Sequence, residues 1–422
     1  MKNNLTPYLV LTLFILVIDY YSFQAVRTVT RDWSSSTRKV IDIIFWSITA
    51  ITFLALFSTM VSNPFKWPVA LRSYLFATVF LIYLSKLFLV VFLILDDLIR
   101  LFRWIFSQFN TSSSVGTEGE RISRLKFLNM IGVGIASFTF FAGVYGMAFN
   151  AYNYKIRRIR VKLPNLPASF HGLKIVQLSD IHSGSLMQTE PIVKAVERIN
   201  KEQPDLIFFT GDLVNNHASE VEPFIEIFAK LQAKEGKYST FGNHDYADYD
   251  ASLAKEERLA SREKLKEHHK SMGWDLLWDE NRIVKRDDDS LAIIGVQNIH
   301  IPRRGGRASF RTYGNLEKAY QGSEQAPVKL LLSHDPTHWD GEVNQRFKDI
   351  DITFSGHTHG AQAGIEIPGF RWSPAQYIYK QWAGLYKTGS QYLYVNRGFG
   401  FLGYPGRVGI LPEITVMILE KA

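Results

Sequence analysis

Ser355-Gly356-His357-Thr358-His359-Gly360 follows directly on the strand-like run Asp351-Ile352-Thr353-Phe354. Two imidazoles spaced i, i+2 in extended backbone project to the same side, and the flanking glycines let the chain turn sharply enough to bring both rings to one point. The pair reads as half of a metal site. Taken alone such a pair more often marks two ordinary loop histidines, so its meaning depends on what the other strand ends carry.

Four further runs of strand length end in groups that can bind metal. Leu173 to Leu178 runs into Ser179-Asp180-Ile181-His182, and Leu206 to Phe209 into Thr210-Gly211-Asp212. Tyr238 to Phe241 runs into Gly242-Asn243-His244-Asp245, and Val328 to Leu332 into Ser333-His334-Asp335. In open α/β sheets, ligands bind at the carboxyl ends of strands, so all these loops are expected to converge on one crevice. Helical patterns separate the runs: Glu190 to Lys201 with Pro191 in its first turn, Val221 to Leu231, and the charged Ser252 to His269. Leu291 to Val296, Tyr392 to Val395 and Ile414 to Leu419 add strands. The class is α/β, helices packed on sheets, with more strands than a doubly wound fold needs.

The chain of 422 residues contains no cysteine, which excludes a disulfide framework, a thiolate nucleophile and thiolate metal ligands. Its net charge of +8 comes without a long basic run interleaved with aromatics, so no nucleic-acid partner is expected. The first 150 residues differ sharply from the rest. Thr6 to Phe23, Val40 to Ser62, Ala70 to Leu95 and Phe127 to Phe149 approach or exceed the ~20 apolar residues that cross a bilayer core. The expected organisation is a four-span transmembrane domain over 1–150 and an α/β domain over 151–422. Asp19 and Lys86 fall inside spans, where an ionisable group must snorkel, pair or face the bundle interior.

Positive charge sets orientation. Arg27, Arg31, Arg38 and Lys39 lie between spans one and two, and Arg100, Arg103, Arg121, Arg124 and Lys126 between spans three and four. Those loops are expected inside. The basic stretch Lys155 to Lys162 counts for less because it opens a large domain, so the catalytic domain is expected on the extracytoplasmic side of the cell membrane. Asn110 to Glu120, rich in Ser, Thr and Gly, reads as a flexible linker.

Asp-x-His, Gly-Asp, Gly-Asn-His-Asp, Ser-His and Gly-His-Thr-His in this order resemble the full signature of the calcineurin-like metallophosphoesterase superfamily, over about Leu173 to Leu419. Tyr394-Val395-Asn396-Arg397-Gly398-Phe399-Gly400 and Pro412-Glu413-Ile414-Thr415 further resemble its YkuE/YaeI-like membrane-associated branch. The resemblance implies a β-sandwich flanked by helices in four layers, α/β/β/α. It also implies two divalent metal ions about 3.5 Å apart. Asp180, His182 and His359 would hold the first, Asn243, His334 and His357 the second, and Asp212 would bridge them. A donor set of nitrogen and oxygen suits Mn, Fe, Zn or Co better than Mg or Ca.

By the same resemblance, a metal-bridging hydroxide attacks phosphorus, His244 is the general acid for the leaving oxygen, and Asp245 orients the His244 ring. Asn243, His244 and Arg397 are candidates for touching the substrate phosphate. Arg303, Arg304 and Arg307 around Gly305-Gly306 read as a solvated loop able to meet an anionic head group. Phe370, Trp372, Tyr377, Tyr379, Trp382 and Tyr386 form an aromatic stretch suited to packing, a lid or the membrane surface. His171, His217, His268, His269, His300 and His338 read as surface or packing residues. The expected activity is a membrane-anchored phosphohydrolase acting on a phosphorylated small molecule or a lipid-linked substrate. The competing reading is a membrane scaffold that binds metal without turnover.

Overall fold

The apolar runs form long helices in a computed structural model that describes residues 6–62, 64, 67–109, 118–302 and 310–422. These helices are α1 (Thr6–Val29), α2 (Ser35–Val61), α3 (Val69–Phe109) and α4 (Glu118–Tyr145). Among the described residues, four helical segments are long and apolar enough to cross a membrane. The helices outrun the apolar stretches. Arg27 sits in the last turn of α1, Arg38 and Lys39 near the start of α2, and Arg100 and Arg103 within α3, where connecting loops were expected. Hydropathy marks only the part of a helix that lies in hydrocarbon, whereas backbone hydrogen bonding continues into the interfacial layer. Of the expected linker, residues 110–117 lie outside the described residues, and Glu118 already belongs to α4.

The intramembrane charges pair with each other. Asp19 is fully buried, its Oδ2 accepts from Thr49 Oγ1 at 2.6 Å and Tyr83 Oη at 2.8 Å, and its Oδ1 is bridged by Lys86. Helices α1, α2 and α3 are thereby joined by one buried polar network, which costs far less in hydrocarbon than lone charges.

Two compact units make up the chain, Met1–Tyr145 and Gly146–Ala422. In the second, strands β1 (Lys155–Leu163), β2 (Leu173–Leu178), β3 (Leu206–Thr210), β4 (Gly236–Thr240) and β5 (Asp275–Leu276) precede β6 (Glu280–Arg286) and β7 (Asp289–Gly295). After them come β8 (Lys329–Leu332), β9 (Ile352–Ser355), β10 (Ile365–Ile367), β11 (Phe370–Trp372), β12 (Gly384–Thr388), β13 (Gln391–Val395) and β14 (Glu413–Lys421). Helices α5 (Glu190–Lys201), α6 (Ile225–Phe228) and α7 (Lys255–Ser271) interrupt the first half. One sheet runs β1-β14-β2-β3-β4-β5, a second β12-β13-β9-β8-β7-β6, and β10-β11 stand apart as a ribbon.

Burial explains the layers. Leu206 and Phe208 of β3 pack between the sheets with Phe354, Leu332 and Ile293, while Ile207 and Phe209 pack outward with Ile192 and Ile199 of α5 and with Trp274. Both faces of β3 are covered, which is why its sequence is a continuous apolar run without alternation. On the outer face of the second sheet, Ala292, Ile294 and Leu331 pack with Leu316, Trp339 and Val343. The result is the four-layer α/β/β/α sandwich.

One expectation needs correction, the helix over Val221 to Leu231, and two further strands are rich in charge. Lys155 to Lys162 lies in an edge strand paired in parallel with β14, with Lys155, Arg158, Arg160 and Lys162 on exposed positions that keep an edge from pairing with other chains. Val221 to Leu231 is a tight 3-10 turn, Ala218–Phe224, followed by the single turn α6, because Pro223 interrupts α-helical bonding. Glu280–Arg286, a largely polar run, pairs antiparallel with β7 on only one side.

Candidate metal centre

Strands β2, β3 and β4 run parallel in one sheet, and β8 and β9 run parallel in the other, so five carboxyl ends arrive together. Gln177 Nε2 ties the two sheets at this rim, donating to Ser355 O at 2.9 Å and to Thr210 Oγ1 at 3.0 Å. Asp180, His182 and His359 gather in one cluster, and Asp212, His334 and His357 in a second, the ligand atoms of each lying within 4.8 Å of one another. Asp212 joins them: its Oδ2 is 3.6 Å from His182 Nε2 and 3.1 Å from His334 Nε2.

Backbone conformation assembles the cluster. Asp180, His182, Asp212, His357 and His359 all have φ between 48° and 71°. Left-handed backbone is uncommon for residues with a Cβ and persists where the surroundings impose it, characteristically at functional sites. Two glycines permit the approach of the loops. A Cβ at Gly356 would lie 1.9 Å from Ser179 Oγ and 2.2 Å from Asp180 Oδ2, and one at Gly242 would lie 2.3 Å from Asp212 Oδ1.

Hydrogen bonds fix which nitrogen of each ring faces inward. His334 Nδ1 donates to Thr210 O at 2.6 Å, and His182 Nδ1 to Asn215 Oδ1 at 3.0 Å, leaving both Nε2 atoms on the cluster. For His357 the order reverses. Its Nε2 faces Tyr379 Oη at 2.9 Å and Asp335 Oδ2 at 3.5 Å, and Nδ1 lies 3.3 Å from His334 Nε2. Outer partners of this kind set tautomer and ring orientation at metal sites.

Without cations the groups perturb one another. Burial pushes His182 down to about 3 and His357 down to about 4. Burial also pushes Asp180 up to about 6, with the charge of Asp212 acting in the same sense. Burial opposes the ionisation of His334 and Asp212, but their mutual attraction prevails, raising the imidazole to about 10 and holding the carboxyl well below its usual range. Asn243 Oδ1 is buried without a hydrogen-bond partner, while its Nδ2 donates to Tyr249 Oη at 2.8 Å. An unpartnered buried amide oxygen beside two carboxylates and four imidazoles is the donor set that a divalent transition-metal cation satisfies.

His244 lies against this cluster, its ring edge-on to His182 at 5.0 Å and tilted over Tyr249 at 4.4 Å. Its Nδ1 donates to Asn215 O at 2.8 Å, and its backbone amide donates to Asp212 Oδ1 at 2.8 Å. Asp245 is placed differently from expectation. Its carboxylate accepts from the backbone amides of Gly242, Asp212 and Leu213, each at 2.8 Å, and of Val214 at 3.2 Å. A carboxylate at a turn finds backbone donors sooner than a ring on the neighbouring residue, whose side chain projects elsewhere. Asn215 O, not Asp245, orients His244.

Arg397 does not face the site. Only 2% exposed, it pairs with Glu413 at 2.6 Å and Glu366 at 2.7 Å, so its charge is consumed inside the fold. Arg303, Arg304 and Arg307 lie outside the described residues. His300 sits behind the cluster, its Nδ1 2.7 Å from the Asp335 carboxylate that also faces His357. His217 pairs with Asp250, His338 lies between Ser333 and Glu342, and His269 is buried beside Ser239.

Sequence reasoning assigned no role to Asn215, Tyr249, Asp335 or Arg407. The fully buried Arg407 donates to the carbonyls of His359 and Arg397 and approaches His359 Nδ1 at 3.4 Å. Burial lowers its pKa to about 10. A motif-by-motif reading of the chain offers no signal for it, because it enters from a loop far along the sequence.

A helix-flanked β-sandwich with these clusters at its strand ends defines a metallophosphoesterase. Family models agree: residues 5–151 match "Probable Calcineurin-like phosphoesterase, transmembrane domain" and residues 173–361 match "Calcineurin-like phosphoesterase". The uncharacterized metallophosphoesterase YkuE of Bacillus subtilis is 30% identical over 314 residues, covering 72% of this chain and 99% of its own. The zebrafish (Danio rerio) "Transmembrane protein with metallophosphoesterase domain" is 29% identical over 286 residues, 66% of this chain. The match covers 60% of the zebrafish protein's length. The UDP-2,3-diacylglucosamine pyrophosphatase LpxG of Chlamydia trachomatis is 25% identical over 296 residues, 58% of this chain and 83% of its own. The chain belongs to the calcineurin-like phosphoesterase family, a family that uses metal ions, and it carries the four-helix transmembrane domain found with some of its members.

Proposed function

We propose that the protein is a membrane-anchored phosphohydrolase that cleaves a phosphoester or pyrophosphate bond. The observation that carries this reading is the buried, unpartnered Oδ1 of Asn243 beside the two clusters joined by Asp212. Asp180, His182 and His359 would hold one divalent cation, Asn243, His334 and His357 another, with Asp212 between them; Mn, Fe, Zn or Co suits these donors. Bound cations supply Lewis acidity and lower the pKa of solvent in their shell.

The chain's own residues do the rest. Thr210 O and Asn215 Oδ1 hold the His334 and His182 rings in the tautomers that present Nε2. Asn215 O holds His244 through Nδ1, so the protonated ring carries its second proton on Nε2, to be given to the leaving oxygen. After transfer the neutral ring keeps the Nδ1 proton on Asn215, and its orientation is unchanged.

A substrate at the membrane is favoured because the membrane helices confine the enzyme to that surface and raise its effective concentration there. The pyrophosphatase named among the relatives supports a lipid-linked pyrophosphate. The basic residues that flank the apolar stretches support an extracytoplasmic catalytic unit. A reporter fused after Ala422 tests that orientation, and a cytoplasmic signal would reverse it. Activity is tested with the full chain in detergent and Mn2+, first on bis-p-nitrophenyl phosphate, then on sugar nucleotides and phospholipids. Turnover unchanged in Asp212→Ala, or unchanged on sugar nucleotides and phospholipids in His244→Ala, would overturn the reading.

A further inference from the structure

The β10–β11 ribbon wears its polarity inside out. Ile365 pairs with Trp372 and Ile367 with Phe370, so these four share one face, while Glu366 and Arg371 occupy the other. The polar face is the one that meets the protein. Glu366 bridges Arg157 and Arg397, and the Arg371 guanidinium lies 5.1 Å over the Trp382 ring. The apolar face is bare: Ile365 is 49% exposed, Ile367 58% and Phe370 52%. Just beyond, Tyr377 and Ile378 are 71% and 67% exposed, and Trp372 Nε1 donates to Tyr377 Oη at 3.3 Å. Among the described residues from Lys155 onward, nine large apolar side chains are exposed, and five of them fall between Ile365 and Ile378. Exposed apolar positions concentrated this way mark a contact surface.

We propose that this ribbon and the following Pro374–Ile378 turn form a membrane-docking surface that inserts into the outer layer of a lipid bilayer. Three features select lipid as the occupant. Trp372 and Tyr377 present an apolar body and a polar tip, the pattern of side chains at the headgroup boundary. Glu366, the ribbon's own carboxylate, is neutralised by two arginines, so it does not oppose an anionic lipid surface. Residues 151–154 separate the last membrane-length segment, Met130–Asn150, from β1, so the chain that carries the ribbon is tethered to a membrane anchor.

Docking here also bears on the site. The ribbon follows His357 and His359 in the same segment, and the turn after it leads to Tyr379, whose hydroxyl meets His357. The inference does not depend on turnover.

The chain has no cysteine, so single cysteines report cleanly. Ile367→Cys and Phe370→Cys, each labelled with a polarity-sensitive fluorophore, are compared with Asp288→Cys on the β6–β7 turn. The full chain is held one copy per nanodisc of phosphatidylcholine and phosphatidylglycerol with doxyl-labelled lipid. Insertion to about 5–10 Å predicts at least about twofold stronger quenching and a blue shift at 367 and 370 relative to 288. Quenching at 367 and 370 no stronger than at 288 overturns the proposal. A blue shift that arises only when two copies share a disc assigns the face to a second copy and overturns it equally.

Discussion

Replacing Asp245 with asparagine separates two roles a carboxylate could play beside His244. In the structure it receives four backbone amides from two loops and does not reach the imidazole. Asparagine keeps the volume, but its Nδ2 must then face two of those donors. Two orphaned buried amides cost about 1–3 kcal/mol each, and the remaining two bonds lose their charge assistance. Part of this is returned, because burial already opposes the ionised form and pushes Asp245 up to about 7. The net loss is about 2–4 kcal/mol, or about 4–8 °C in Tm for a unit of this size. Thermal unfolding of the full chain in detergent, read by tryptophan fluorescence, gives that number. Metal content by mass spectrometry should fall with it, since Asp212 is positioned by the same bonds. If Tm stays within about 1 °C while the His244 limb of the pH–rate profile moves, Asp245 tunes the imidazole and the backbone account fails.

His244→Ala should lower kcat by roughly 10²–10⁴ on alkyl phosphoesters and much less on p-nitrophenyl esters, whose leaving group needs no proton; equal losses would refute its role as acid. Burial pushes the His269 pKa to about 3, well below its ordinary value, so the stability tied to the neutral ring is whole above about 6.5 and drains as pH falls toward 3. His269→Gln should flatten the acid limb of the Tm–pH curve, by at most about 1.4 kcal/mol per pH unit; an unchanged slope would count against it. Lys86→Met strands the buried Asp19 carboxylate and should destabilise the transmembrane unit by about 3–5 kcal/mol, most of it recovered in Lys86→Met with Asp19→Asn. Additive losses in unfolding from detergent would show that the two charges do not act as a pair.

What the sequence disclosed were features written locally. Each candidate block is a short loop directly after an apolar run, so Asp180, His182, Asp212, His334, His357 and His359, which the fold gathers into two clusters, could be named by position, and β2 and α5 fall on their expected residues. Features that depend on distant chain segments were hidden. Asn215 holds both His182 and His244, and Arg407 supports His359, through contacts that no spacing rule relates. Arg397 was misjudged for the same reason: an arginine in a glycine-rich turn suggests an anion, and only the fold reveals Glu413 and Glu366 beside it. The β1 strand was masked by its basic residues and β10–β11 by its reversed polarity, because both contradict the usual pairing of apolar pattern with burial.

The placement of β14 constrains how the molecule is made. It lies between β1 and β2, so the two strands that open this unit have no hydrogen-bonded connection to each other until a segment from its far end is inserted. Such long-range closure is slow. During synthesis, the four apolar helices are therefore complete long before the sheet that follows them can form. A nascent chain held at the bilayer with β1 and β2 waiting for β14 would be the species most exposed to chaperones and proteases. Substitutions at the buried Val416 or Met417, which pair with Val176 and Ile175 of β2, should accordingly reduce yield more than specific activity.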